Sequence, residues 1–137
     1  MATVTTIDTD LTVRHQSSEA GPTYVSAAAQ PGDTVTLTYG TTPGFDLAEF
    51  PHCFVGVLMY DGADGTGSLV LSGATTFTLT VQTVNTKYDE SLATSTITGN
   101  APATRSWAGN TFQVKCVDAG ITGAANSWRL VITGNRT

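Results

Sequence analysis

The 137-residue sequence has few charged side chains, and this scarcity excludes several functions at the outset. Only 12% of its residues are Asp, Glu, Lys or Arg, where globular domains have about 25%. Six Lys and Arg stand against eleven Asp and Glu, for a net charge of −5. Binding to nucleic-acid phosphates needs a basic patch, which six dispersed cations do not supply. We therefore expect no nucleic-acid partner, and we expect the acidic balance to serve solubility.

Long apolar runs and a secretory leader are also missing. No apolar run approaches the roughly 20 residues of a membrane-spanning helix. The segment from Met1 to Thr6 has neither the basic region nor the apolar region of a secretory signal. We therefore expect no membrane association and a chain that is made in a cytosol.

Cysteine and histidine are scarce, with two of each, which leaves little material for catalysis. No G-x-S-x-G turn is present to carry a nucleophilic serine. Cys53 opens an apolar segment, where burial suppresses thiol reactivity, and its neighbour His52 would point to the opposite face of a strand. We expect no catalytic residue, no enzymatic activity and no cofactor.

The two cysteines, Cys53 and Cys116, have no C-x-x-C partner and lie 63 positions apart. In a reducing cytosol they are expected to be buried thiols that pack as small apolar side chains. A disulfide between them, formed after release from the cell, is the second interpretation.

Acidic residues pair only in segments that read as loops. The most suggestive segment, Asp61 to Gly67, offers Asp61 and Asp64 as weak calcium candidates. It departs from the EF-hand loop because Ala63 occupies a ligand position and no Glu follows at position twelve. We expect a flexible hairpin loop here, with no metal site.

What the sequence does contain is threonine, at 26 positions, together with 14 glycines. Threonine suits the half-exposed face of a strand, since its β-branched side chain fits the pleat. Eight to ten short segments alternate or read as extended, with turn signals every eight to twelve residues. This pattern predicts an all-β fold, a two-layer antiparallel β-sandwich of jelly-roll or immunoglobulin-like type, with a barrel as second choice.

The alternation also predicts which residues are buried. In the clearest case, residues 33–39, Val35 and Leu37 face one way while threonines face the other. Cys53 to Tyr60 has no polar residue and is interpreted as a central strand covered on both faces. Trp128 alternates with Leu130 and Ile132 and is assigned to the core. The predicted buried positions are Val35, Leu37, Val55, Val57, Phe77, Leu79, Val81, Phe112, Val114, Leu130 and Ile132.

We expect a single sandwich domain over residues 21–137, preceded by an extended N-terminal segment over residues 1–20. Residues 9–14 read as a strand with Leu11 and Val13 on one face, and a polar break follows them. The N-terminal segment is a candidate arm that adds a strand to a neighbouring copy.

Five residues are candidates for contacts with other molecules. Trp107 and Arg105 fall in a polar segment, residues 99–110, that reads as a loop. Such a pair is typical of a contact hot spot or a sugar platform, and Trp107 could equally cap the sandwich. Leu69, Val70 and Leu71 form an apolar triplet, of which at least one should face outward. Only Lys87 and Lys115 are available to protect strand edges with charge.

In overall style the chain resembles small accessory proteins of tailed bacteriophage particles, of the head-decoration, vertex-spike and fibre-base types. The likeness lies in the Met1-Ala2-Thr3 start, the Thr-, Gly- and Ala-rich β sequence and the low charge. It implies a non-enzymatic structural protein that is made in the host cytoplasm and resides in the virion. Its expected partners are further copies of itself, with a trimer as one option, and a major capsid or other virion protein. The alternative is a carbohydrate-binding or adhesin module of a secreted or surface protein, with a host glycan as ligand.

Overall fold

A computed structural model describes residues 2–13, 20–46, 52–70, 76–84, 89–98, 103–106, 112–121 and 125–135. Nine strands account for most of this part of the chain. They are β1 (Thr3–Val4), β2 (Ala20–Val25), β3 (Thr34–Thr38), β4 (His52–Tyr60), β5 (Thr76–Val84), β6 (Asp89–Thr98), β7 (Ala103–Ser106), β8 (Phe112–Gly120) and β9 (Ser127–Asn135). The helical content described is one 3₁₀ turn, Ala63–Gly65, and no described helix is long and apolar enough to cross a membrane.

The strands form two separate sheets, which confirms the all-β prediction. Sheet 1 has the order β1-β3-β8-β5-β6, and sheet 2 has the order β2-β9-β4-β7. Every pairing within them is antiparallel except that of β1 with β3. Both sheets contribute side chains to one buried cluster. Since the described sheets are not closed on each other, the arrangement is a two-layer sandwich rather than a barrel.

The strand pairing is nested, and this selects the jelly roll from the two expected sandwich types. The first of the strands β2 to β9 pairs with the last, the second with the second last, and so on inward to β5 with β6. Eight strands paired in this way form a long double hairpin that rolls up into two sheets. The short β1 is an addition at the edge of sheet 1, beside β3.

The residues predicted from period-two alternation to be buried do face the core wherever their side chains are described. On β3, Val35 and Leu37 are fully buried between half-buried threonines. Val57 is partly buried against the same core. Trp128 is also fully buried, and its indole Nε1 donates to the carbonyl of Gln30 at 3.1 Å. The confirmed fully buried positions are Val35, Leu37, Val55, Val114, Leu130 and Ile132; the side chains of Phe77, Leu79, Val81 and Phe112 lie outside the described part.

The apolar strand β4 departs from its prediction. It is central in sheet 2, between β9 and β7, but it is not covered on both faces. Cys53, Val55 and Met59 point into the core, whereas Phe54 between them is 43% exposed. A sandwich has only two layers, so each sheet keeps one face toward solvent, and an apolar run does not reveal whether a third layer exists.

Two segments were assigned to the wrong kind of structure. Residues 9–11 form a turn rather than a strand, because the Asp8 carboxylate accepts the backbone N–H of Asp10. The predicted loop 99–110 contains β7, which pairs with β4 and places Arg105 opposite Cys53. Lys115 protects no edge, since β8 lies between β3 and β5; Lys87 lies outside the described residues.

Candidate interaction surface

Residues 2–13 form what we call the N-terminal strap, which lies along the free edges of β3 and β2. Thr3 and Val4 pair with β3 in parallel, and the Ala2 amide donates to the buried Asp33 carboxylate at 2.9 Å. Further along, Ile7 bridges to Ser26 and Val13 bridges to Thr23. The strap therefore joins sheet 1 to sheet 2 within its own chain. Its transfer to a neighbouring copy stays a prediction.

Arg129 fastens the strap to the outside of sheet 2. It lies on β9 between the inward-facing Trp128 and Leu130, so its own side chain points away from the core. It is nevertheless only 8% exposed. Its Nη1 donates to the Asp8 carboxylate at 2.9 Å and to the Ser26 carbonyl at 3.0 Å. Its guanidinium carbon lies 5.8 Å from the centre of the Tyr60 ring, within range of a cation–π contact.

The loop after β4 covers the same arginine from the other side. Gly65 donates its backbone N–H to the Ser127 hydroxyl at 2.9 Å, and that hydroxyl donates to the Gly62 carbonyl at 2.6 Å. A Cβ on Gly65 would lie 2.6 Å from Nη2 of Arg129, so a larger residue there would displace the guanidinium. The loop expected to be a flexible hairpin is thus hydrogen-bonded to β9.

The two carboxylates proposed as weak metal candidates serve the structure of this loop. Asp61 accepts the backbone N–H of Ser68 at 2.8 Å, and Asp64 accepts the side-chain amide of Gln30. Within the described residues, no group of three or more His, Cys, Asp or Glu side chains is placed to hold a metal ion.

The outer face of sheet 2, meaning the side of β2, β9 and β4 turned away from the core, carries three of the four exposed large apolar side chains that are described, Leu11 in the strap being the fourth. Val13, Thr23, Thr133 and Phe54 form one row across neighbouring strands. Residues directly opposite each other in a ladder share a face, and Val13 and Phe54 are 44% and 43% exposed.

Further apolar residues continue this face along β4. Gly56 and Leu58 follow Phe54 at alternate positions, and Val131 lies opposite Gly56. Leu69, at 47% exposed, bridges to Tyr60 and so shares the same face. Among the outward positions of β2, β9 and β4, the only formally charged side chain is Arg129, which Asp8 neutralises. The outward positions of β2, β9 and β4 thus carry no unpaired charge, and the exposed Asp61 and Asp64 lie in the loop that adjoins them.

Three of the five residues predicted for contacts lie in the described part of the chain. Leu69 faces outward as expected of the apolar triplet, while Val70 packs against the core. Arg105 belongs to β7 rather than to a loop. Trp107 and Leu71 lie outside the described residues.

Sequence reasoning missed Phe54, Asp8 and Arg129. The signal for Phe54 was its position one residue out of phase with Cys53 and Val55. The signal for Arg129 was a single cation inside the otherwise apolar strand that carries Trp128. The sequence did not indicate that Arg129 pairs with Asp8, because the two residues are 121 positions apart.

Both cysteines are buried and neither forms a disulfide in the structure, with Cys53 in sheet 2 and Cys116 in sheet 1. Burial, and secondarily the negative charge of Asp118, raises the pKa of the Cys116 thiol from 9.0 to about 12. The Asp118 carboxylate itself accepts the backbone N–H groups of Gly32 and Gly120. The Cys116 thiol is therefore uncharged at neutral pH and unsuited to act as a nucleophile.

No curated protein matches the chain in sequence. A family match covers residues 46–137, which include β4 to β9 and exclude the strap, β2 and β3. The matched region contains Phe54, Gly56 and Arg129, so most of the outer face of sheet 2 lies within it. Because this match spans more than half of the sequence, the chain belongs to the family described as a domain of unknown function, DUF7265.

Proposed function

We propose that the protein is a non-enzymatic structural component of a virus particle, of the capsid-decoration, spike or fibre type, and that it acts through protein–protein contacts. It would be made in the host cytoplasm and reside in the virion. The jelly-roll pairing of its strands supports this proposal, since that architecture recurs in viral capsid domains. Because one fold hosts many functions, the proposed function depends on a contact surface of this chain.

The observation that carries the proposal is the outer face of sheet 2. Contiguous exposed apolar surface marks sites of protein association. Phe54, Val13 and Leu69 share this face, and Arg129, the charged residue of the strands beneath it, is paired with Asp8. A partner can cover such a surface without burying an unpaired charge, which would be costly. Further copies of the chain and a major capsid or other virion protein are the proposed partners.

The test is incorporation of the chain into particles. Cells that assemble the virus would supply either the native chain or the Phe54→Asp variant, and purified particles would be quantified by mass spectrometry. We expect the native chain in a fixed ratio to the major capsid protein and at least a tenfold loss for Phe54→Asp, because a charge replaces an apolar contact. Lys115→Asp, which changes an exposed side chain of sheet 1, is the matched control and should incorporate normally. Absence of the native chain from particles would refute the proposal.

A carbohydrate-binding module is the second candidate, and the same architecture favours it, since jelly rolls are also found in lectins. Its ligand would be a host glycan held by aromatic side chains, with Trp107 as the first candidate. Binding of the protein to a glycan array, abolished by Trp107→Ala, would support this function over the structural one.

A further inference from the structure

We infer that the N-terminal strap exchanges between copies of the chain, so that the strap of one copy occupies, on a neighbouring copy, the groove that the chain's own strap fills in the structure. This strap groove is formed by the outer edges of β3 and β2 together with Arg129. The inference rests on the proposed function, since it names the contact by which one copy holds another.

The strap groove binds its occupant as an added strand. The Asp8 amide donates to the Val25 carbonyl at 2.7 Å, and Val13 and Thr23 donate to each other's carbonyls at 2.8 and 2.7 Å. Main-chain hydrogen bonds of this kind give the affinity when a segment is added to a sheet edge, and side chains give the specificity. The groove therefore accepts an extended segment.

Side chains of the strap define which segment fits. Val4 and Ile7 are partly buried against the core, and the next residue, Asp8, lies 2.9 Å from the guanidinium of Arg129. A segment that fits therefore has apolar residues three positions apart, followed directly by a carboxylate. Every copy of the chain carries such a segment, so a neighbouring copy supplies the same contacts, as in other exchanges of an identical element.

The cost of an empty groove favours exchange over simple release of the strap. Without a strap, Arg129 loses its carboxylate while most of its side chain stays buried, and a buried charge without its partner is costly. The edges of β3 and β2 would also present unpaired backbone groups. A strap from another copy restores both sets of contacts. The exchanged and unexchanged states then differ mainly in the entropy of linking two chains.

The length of the connection determines when exchange occurs. Six residues separate Val13 from Ala20 in the sequence, so the strap reaches at most about 25 Å from the start of β2. A short tether gives the chain's own strap an effective concentration on the order of millimolar. We therefore expect the unexchanged chain in dilute solution, and exchange where copies lie side by side, at high concentration or on a particle.

The experiment traps an exchanged strap with a disulfide between two different chains. Val13 and Thr23 are a hydrogen-bonded antiparallel pair, and the Cα separation of such a pair, about 5.5 Å, permits a disulfide. Full-length Val13→Cys and Thr23→Cys are mixed at about 500 µM, close to the effective concentration of the tethered strap. After oxidation, intact mass spectrometry quantifies the dimer that contains one chain of each kind.

Random collision is measured by a matched mixture. Val13→Cys is mixed with Lys115→Cys, whose exposed cysteine would lie on sheet 1, away from the strap groove. We expect about tenfold or more mixed dimer with Thr23→Cys than with Lys115→Cys, because exchange holds the first pair at bonding distance.

A second measurement tests recognition through Asp8. Asp8→Arg, added to the Val13→Cys chain, places a like charge against Arg129 of the other copy and should reduce the mixed dimer about fivefold or more. Asp10→Arg, an exposed neighbour in the same strap, is the control and should leave the yield unchanged. Circular dichroism would establish that each variant is folded.

Two results would overturn the inference: a mixed dimer no more abundant than with Lys115→Cys, or a yield that Asp8→Arg leaves unchanged. Either result, combined with loss of Phe54→Asp from particles, would leave the proposed function standing with a different contact between copies. Exchange as expected, in a chain absent from particles, would instead refute the proposed function and retain the inference.

Discussion

Arg129 donates a hydrogen bond to Asp8 across 121 positions of sequence, and the 2.9 Å ion pair ties the last strand to the N-terminal strap. The arginine is almost completely buried on the outside of sheet 2, whereas Asp8 keeps about a quarter of its side chain exposed. The pair therefore fixes an element that lies outside the two packed layers.

Removal of Asp8 should destabilise the protein more than removal of its exposed neighbour Asp10. Asp8→Ala leaves the buried guanidinium without its counter-ion and should cost about 2 kcal/mol of unfolding free energy. The shift is measured as the urea midpoint. Asp10→Ala is the control and should change stability by less than about 0.5 kcal/mol. Equal effects of the two substitutions would contradict the role assigned to the pair.

Glycine at position 65 is expected to be required by contact as well as by backbone conformation. Gly65 and Gly40 both have positive φ, +75° and +83°. A Cβ on Gly65 would contact the Arg129 side chain, whereas a Cβ on Gly40 would have no atom within 4 Å. Gly40→Ala should cost about 1 kcal/mol from backbone strain alone. Gly65→Ala should cost about 2 kcal/mol more, because Arg129 must move. Thermal unfolding of both variants measures the difference, and indistinguishable melting temperatures would disprove the close approach.

The inward register of β8 predicts opposite outcomes at adjacent positions. Val114 is fully buried and pairs with Leu37, while Lys115 is exposed. Val114→Asp should prevent folding, since it buries an unpaired charge. Lys115→Asp should stay within about 1 kcal/mol of the native stability. Circular dichroism measures whether each variant is folded. If both variants fold, or both fail to fold, the register is wrong.

The Cys116 thiol should make stability fall in alkaline solution. Its pKa is about 12 in the folded chain and 9.0 in its ordinary state, so the unfolded chain loses this proton first as the pH rises. The stabilising effect is complete below pH 9 and declines from there toward pH 12. Between about pH 8 and about pH 10.5 the native chain should lose roughly 2 kcal/mol more stability than Cys116→Ala does. Parallel pH dependence of the two proteins would contradict the raised pKa.

Folding should not depend on a bound metal ion. Asp61 and Asp64 are engaged in hydrogen bonds within and near the loop after β4. A chelator should therefore leave the melting temperature unchanged in dilute buffer. A large decrease would instead identify the segment from Asp61 to Gly67 as an ion site.

Much of the fold was predictable because its signals are local. Alternation over five residues is enough to place Val35 and Leu37 inside and the threonines of β3 outside. The same periodicity correctly assigned Trp128, Leu130 and Ile132 to the core. A side-chain period of two is a property of the single strand, so no knowledge of its neighbours is needed.

The candidate surface was less predictable. At least one residue of the triplet from Leu69 to Leu71 was expected to face outward, and Leu69 does so, but Phe54 was expected to be buried on a strand covered on both faces. The composition of β4 is compatible with either environment. Whether its outer face is covered depends on where every other strand goes.

The sequence by itself determined the all-β class, the positions of most strands and the inward face of those that alternate, because these follow from side chains a few positions apart. Only the tertiary structure decided the nested jelly-roll pairing, the exposure of Phe54 and the pairing of Asp8 with Arg129. These features depend on contacts between residues that are distant along the chain. The free energy of such contacts depends on how far the partner buries a side chain and neutralises its charge. The sequence of a single strand does not specify that partner.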